Sequence, residues 1–133
     1  MDRCIIIGAK NGFPKKKNFT KRDYIIAADG GLEYCIQNKI VPDYIVGDFD
    51  SFGHVPLELL KEPAYSNTKL KQYPREKDDT DTAMAIAYGQ EMGYRNFVLM
   101  GCQGGRIDHT IANIQCMKKL AQQNIKCVMY GDD

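Results

Sequence analysis

Asp48 and Asp50 close the short apolar run Tyr44-Ile45-Val46 within Pro42-Asp43-Tyr44-Ile45-Val46-Gly47-Asp48-Phe49-Asp50-Ser51. In extended chain, side chains two positions apart point the same way, so these two carboxylates aim at one spot. Like charges held that close raise each other's pKa, and a divalent cation removes the cost. Mg²⁺ suits such a pair, being hard, oxygen-seeking and commonly held by one or two carboxylates together with substrate phosphates. The same residues also make an ordinary strand-ending Asp/Ser turn, and this stretch alone does not separate the two readings.

Three further clusters carry chemistry. Asp29-Gly30-Gly31 follows an apolar run, and two glycines at a strand-to-helix turn let backbone approach a ligand closely. Glu76-Lys77-Asp78-Asp79-Thr80-Asp81-Thr82 precedes an amphipathic stretch. Asp79 or Thr80 can cap that helix, but the run holds more carboxylates than capping needs. Gly104-Gly105-Arg106-Ile107-Asp108-His109 opens another helix, with backbone donors and a forked cation suited to phosphate. His109 by itself reads as a packing or capping residue.

The elements that must position these clusters are legible as apolar runs. Arg3-Cys4-Ile5-Ile6-Ile7-Gly8, Tyr24 to Ala28, Asp43 to Asp48, and Asn96 to Met100 read as buried strands. Leu70-Lys71-Gln72-Tyr73 alternates as an edge or half-covered strand does, and Ile125 to Tyr130 is the last strand. Helices are expected over Leu32 to Lys39, over Pro56 to Lys61 (closed by Pro63), from Ala83 onward, and after Arg106. In the last of these, Ile107, Ile111, Ile114, Met117 and Ala121 recur at helical spacing as a core stripe. Six strands interleaved with helices predict a Rossmann-like three-layer α/β/α fold with a mostly parallel six-stranded sheet. In such sheets ligands bind beyond the carboxyl ends of the strands, which is where all four clusters fall.

Length and composition agree with one α/β domain. The chain has 133 residues, 44% of them hydrophobic and 26% charged, with a formal net charge of +1. With that charge no global field argues for nucleic acid or membrane as partner, and neither is expected. The five cysteines lack a C-x-x-C pair and mostly sit in apolar runs, which fits a reducing cytoplasm better than a disulfide or zinc scaffold. No apolar run approaches the roughly 18 residues of a membrane span.

Taken together, Asp29-Gly30-Gly31, Pro42-Asp43, Gly47-Asp48-Phe49-Asp50-Ser51, Glu76-Lys77-Asp78 with Thr80-Asp81, and Gly104-Gly105-Arg106-Ile107-Asp108-His109 with Asn113 resemble the catalytic domain of thiamine pyrophosphokinases. Order and spacing agree from about Cys4 to Tyr130, while Lys10 to Lys21 matches nothing in the pattern. The resemblance implies Mg²⁺-dependent transfer of the pyrophosphoryl group of ATP to the hydroxyl of thiamine, giving thiamine diphosphate and AMP. It implies Asp48, Asp50 and Asp81 as metal ligands, with Lys77 and Asp78 facing phosphates and metal. It implies a nucleotide site from Asp29, Gly30, Gly31, Thr82, Gly104, Gly105, Arg106 and Asp108.

By the same resemblance, residues 1–133 are the ATP- and Mg²⁺-binding catalytic domain. The family's β-rich thiamine-binding domain would follow, and the full-length protein would be a homodimer. Trp is absent and Tyr and Phe are scattered along the sequence, so no aromatic acceptor pocket is expected within these residues. A nucleotide-binding module without thiamine turnover is the alternative. A receiver-like signalling domain fits poorly, since Gly8-Ala9-Lys10 stands where that fold needs an acidic pair.

The carboxylate pair has a direct test. Asp48→Asn or Asp50→Asn is expected to abolish turnover and leave the fold intact, because each removes a metal ligand while relieving like-charge repulsion. Thermal melting with and without Mg²⁺-ATP checks it. A mutant stabilised by Mg²⁺-ATP as strongly as the parent removes the metal assignment.

Overall fold

A computed structural model describes residues 2–8, 13, 19–28, 30–47, 61–72, 81–102 and 107–130. The apolar runs form strands β1 (Cys4–Ile7), β2 (Tyr24–Ala28), β3 (Tyr44–Gly47), β4 (Lys69–Gln72), β5 (Asn96–Met100) and β6 (Lys126–Met129). Between them lie helices α1 (Gly31–Gln37), α2 (Asp81–Glu91) and α3 (Ile107–Gln122). The sheet runs β4-β3-β2-β1-β5-β6 and every pairing in it is parallel. The chain thus lays β1 to β4 outward in one direction, returns to place β5 on the free side of β1, and ends on β6. That reversal puts a topological switch point between β1 and β5.

The unbroken Ile5-Ile6-Ile7 run is needed because β1 is central and covered on both faces, and all three residues are fully buried. Removing each such side chain from water contributes about 1.5–3 kcal/mol. On one face Cys4, Ile6, Ile26, Val46, Phe97 and Leu99 pack with Ala85 and Ile86 of α2 and Leu120 of α3. On the other, Ile5, Ile7, Ile25, Ile45, Val98 and Met100 pack with Leu32 and Cys35 of α1. This is the three-layer arrangement expected from the sequence.

One expectation needs correction. The α3 stripe is turned from the predicted one: Leu120 is buried, Cys116 and Met117 are half-buried, while Ile114 is 52% exposed and Ala121 is exposed. Spacing gives the period of an amphipathic helix, but the helix's seat against β6 and α2 sets which side is covered. Pro63 opens a 3₁₀ turn, Pro63–Tyr65, whose Tyr65 is buried. The predicted Pro56–Lys61 helix lies outside the described residues except for Lys61. The edge reading of β4 holds, since Lys69, Leu70 and Lys71 are all exposed.

The amino ends of the strands are tied by polar contacts. Arg3 donates to Asp23 twice, from Nε to Oδ1 at 3.0 Å and from a terminal nitrogen to Oδ2 at 2.8 Å. The Thr20 backbone N–H adds a third bond to this carboxylate, whose side chain is only 3% exposed. Asp43 works similarly one strand over: its Oδ2 accepts from the Ile25 N–H at 2.8 Å, and its own N–H donates to the Ile25 carbonyl at 2.8 Å. The Pro42-Asp43 pair therefore starts β3 in register and takes no part in chemistry at the other edge.

All five cysteines are free thiols. Burial pushes Cys4, Cys35 and Cys127 up to about 12 and Cys102 to about 11, so each stays protonated and serves as a small hydrophobe.

The Arg3–Asp23 pair sets a pH dependence. Hydrogen bonding from Arg3 holds the Asp23 carboxyl below its ordinary value. Its contribution is therefore complete above the unfolded value of about 3.9 and is lost as pH falls through the lower folded value. Asp23→Asn is expected to cost about 1.5–3 kcal/mol at pH 7, the range for hydrogen bonds to a charged group. Urea denaturation of parent and variant should show that gap closing below about pH 4. A gap unchanged down to pH 2 would assign the cost to packing instead.

Candidate active site

At the switch point the carboxyl ends of β1 and β5 are pinched together. Gly8, just past β1, donates its N–H to the Met100 carbonyl at 2.7 Å. A Cβ on Gly8 would lie 2.7 Å from the Gly101 carbonyl oxygen and 3.2 Å from Cys102 Sγ. Gly101 itself has φ 68°, and the ring of Phe13 occupies the space its side chain would need. No residue with a side chain fits either position.

Both neighbouring helices start from this pinch. On one face, α1 begins at Gly31, where a Cβ would overlap the carbonyl of Ile7. On the other, Thr82, the second residue of α2, directs its hydroxyl at Cys102 Sγ at 3.8 Å. The thiol in turn donates to the Met100 carbonyl at 3.4 Å. Cys102 thus couples the start of α2, and with it Asp81, to the end of β5. Its raised pKa comes chiefly from burial, partly offset by the Thr82 hydroxyl and the Gly8 backbone.

Phe13 closes the pinch on the α1 face and stacks on Tyr34 of α1, with ring centroids 3.8 Å apart and planes 13° apart. Beside the stack opens a cleft of about 340 Å³ lined by Gly8, Phe13, Gly30, Glu33, Tyr34 and Gln37. The cleft lies at the carboxyl edge, where parallel α/β sheets bind ligands.

The candidate residues from the sequence divide accordingly. Gly30 lines the cleft, Gly31 is consumed by helix–strand packing, and Thr82 anchors α2. Asp81 is the first residue of α2 and Asp108 the second of α3, so both helices begin at the carboxyl edge. His109 and Asn113 lie in the same stretch of α3. Asp48 and Asp50 come directly after the last residue of β3, Gly47. Asp29, Asp48, Asp50, Lys77, Asp78, Gly104, Gly105 and Arg106 lie outside the described residues, as does most of Lys10 to Lys21. Among the described residues no three His, Cys, Asp or Glu side chains group as a metal site, and no helix is long and apolar enough to cross a membrane.

The sequence reading missed Phe13 and Tyr34. The aromatic residues that look scattered in sequence pair in space: Phe13 with Tyr34, Tyr24 with Tyr94 at 5.5 Å, and Tyr44 with Tyr88 at 5.2 Å. The last two pairs belong to the α2-side core, with Tyr24 and Tyr44 opening β2 and β3 at the opposite edge. Only Tyr34, four residues beyond Gly30 on a predicted helix, gave a local hint.

Comparison with known proteins places this arrangement among relatives. Residues 16–129 match the family described as thiamin pyrophosphokinase, catalytic domain. A thiamine pyrophosphokinase of Bacillus subtilis (strain 168) is 32% identical over 120 residues, covering 90% of this chain and 55% of the relative. Thiamine pyrophosphokinase 2 of Arabidopsis thaliana is 29% identical over 106 residues, covering 75% of this chain and 38% of the relative. The chain thus spans about half the length, or less, of these curated relatives. Among solved structures, a thiamin pyrophosphokinase family protein from Enterococcus faecalis superposes with a TM-score of 0.78 at 27% identity, over 96% of this chain and 61% of that one. The Bacillus subtilis enzyme gives 0.77 at 25% identity, over 98% and 61%.

The tight seat of α1 gives a prediction. Gly31→Ala is expected to destabilise by about 3 kcal/mol or more, the upper end of overpacking costs, because backbone rather than a flexible side chain must yield. Urea denaturation measures it. A loss under about 1 kcal/mol, the cost of an ordinary surface change, would show that α1 can lift from β1 freely.

Proposed function

Because the chain belongs to the thiamin pyrophosphokinase catalytic-domain family, we propose that it is the nucleotide-binding half of an enzyme that pyrophosphorylates thiamine. What supports this reading is the switch-point edge, where β3 ends and α1, α2 and α3 begin, each next in sequence to one of the four polar clusters. The thiamine hydroxyl oxygen would attack the β-phosphorus of ATP. The bond from that phosphorus to the oxygen of the α-phosphate breaks, AMP leaves, and the hydroxyl proton passes to solvent. Thiamine diphosphate is the other product.

Such a transfer depends on positioning and charge compensation more than on covalent chemistry. Asp48, Asp50 and Asp81 would hold Mg²⁺; their hard carboxylate oxygens suit it, and it would offset the charge on the β- and γ-phosphates. Lys77 and Arg106 supply fixed cations for phosphate oxygens, Arg106 in a forked geometry that a lysine does not reproduce. Asp78 and Asp108 orient these groups, and Asp29, Gly30, Gly31, Thr82, Gly104 and Gly105 surround the nucleotide. Gly31 acts indirectly, letting α1 sit against β1 so that Gly30 borders the cleft. The thiamine pocket lies in a following β-rich domain, and the whole protein works as a cytoplasmic homodimer.

The expected result is Mg²⁺-dependent ATP binding by the chain, measured by calorimetry. Thiamine diphosphate formation should be low until a following domain from a relative is joined. Absence of Mg²⁺-ATP binding removes the proposal. AMP release without thiamine would make this a different nucleotide-processing site. Full product formation by the chain alone would put the acceptor pocket within these residues.

A further inference from the structure

A second hollow lies at the amino edge of the sheet, away from the switch point. It encloses about 370 Å³ between the residues leading into β1 and the turn joining α2 to β5, and Asp2, Met92, Gly93, Tyr94 and Arg95 line it. That volume is within the range of small-molecule sites. The turn is made by Gly93 at φ 94°, where a Cβ would meet nothing within 4 Å, so the backbone there borders open space.

The charges around the hollow are unequally matched. Asp2 accepts from Arg22 Nε at 2.8 Å, and the Asp23 carboxylate is taken by Arg3. Arg95 has no carboxylate partner among the described residues. One of its terminal nitrogens donates instead to the backbone carbonyls of Gln123 at 2.9 Å and Asn124 at 3.5 Å. Carbonyl dipoles fix the guanidinium without neutralising it, and its other N–H groups are left for a ligand. Tyr94 adds a hydroxyl donor, kept protonated chiefly by burial and further by Cys4, Asp2 and Asp43. Its ring lies 5.5 Å from that of Tyr24, which steadies it as a wall. Met92, 44% exposed, offers an apolar thioether at the rim. A fixed cation beside a phenol and a thioether suits an anion with a flat apolar body.

We propose that this hollow binds a small aromatic carboxylate. The carboxylate accepts from the Arg95 guanidinium and the Tyr94 hydroxyl, and the ring lies against Met92 and Tyr94. A free aromatic acid and the C-terminus of a peptide ending in an aromatic residue share this chemistry. The free acid is the expected occupant, since the hollow is of a size for one ring and its acid group. The site is independent of the nucleotide reading, because it stands at the opposite end of β1 and β5 from Gly8 and Gly101.

The test follows the backbone amides of the ¹⁵N-labelled chain by NMR during titration with phenylacetate, benzyl alcohol and benzylamine. Phenylacetate should shift Gly93, Tyr94 and Arg95 saturably, with the alcohol and the amine weaker by about tenfold or more, the scale of hydrogen bonds to a charged partner. Arg95→Gln should weaken phenylacetate by a similar factor. That variant also loses its bonds to Gln123 and Asn124, so Asp2→Asn, on an exposed side chain, gives a second measure. Removing the carboxylate there should tighten phenylacetate by about twofold or more at low salt, because a like charge is gone and Arg22 is released. The tripeptide Ala-Ala-Phe, free or amidated at its C-terminus, separates the two sources. A free-acid peptide that binds more tightly than phenylacetate keeps the site and makes a chain end its occupant. Equal binding of the acid, alcohol and amine overturns the inference, as does weaker phenylacetate binding by Asp2→Asn. Shifts confined to other residues, or competition between phenylacetate and Mg²⁺-ATP, also overturn it and leave the proposed function standing.

Discussion

The close approach of β1 and β5 at their carboxyl ends is the constraint on which the rest of this structure depends. Gly8 and Gly101 meet there with almost no room between their backbones, and Gly31 brings α1 onto the same spot. A single Cβ at any of these positions would force backbone apart. The absence of side chains lets two strands, one helix start and the Phe13 ring converge beside the cleft. Cys102 adds a small, polarisable filler that ties α2 to the same point.

The two edges of the sheet divide the work. The amino edge carries the stabilising polar contacts: the Arg3–Asp23 fork, the Asp43 carboxylate on the Ile25 N–H, and the strand-opening residues Tyr24 and Tyr44 of two aromatic pairs. Lys71 lies over the Tyr88 ring at 5.4 Å, beside Tyr44. These contacts hold register without occupying the carboxyl edge. Among the described residues, the carboxyl edge is left with glycines and the starts of α1, α2 and α3.

Much of this was legible in the sequence. The six strands and the three main helices follow from apolar runs and their periods, because a central parallel strand must be apolar on both faces and an edge strand need not be. The isoleucines of β1 and the alternating Lys69-Leu70-Lys71 of β4 show the contrast. Polar residues interrupting apolar runs mark where backbone leaves the core, and the starts of α2 at Asp81 and of α3 at Ile107 fall at two such breaks. The cysteines' role followed from their apolar neighbours and from the lack of metal-ligand spacing.

What only the tertiary structure decided concerns contacts between residues distant in sequence. Helical spacing proposed a stripe through Ile114 and Ala121, but the seat of α3 turned burial toward Cys116 and Leu120. The two glycines after β2 look equivalent in sequence, yet one lines a cleft and the other is taken up by packing on Ile7. Phe13 and Tyr34 carry no mutual signal, since stacking depends on where a loop and a helix are brought together, not on spacing along the chain. Local physics, repeated at periods of two or 3.6 residues, determined the elements. The shape of the cleft came from the strand order, which reverses between β1 and β5 and brings Gly8, Phe13, Gly30 and Tyr34 to one place.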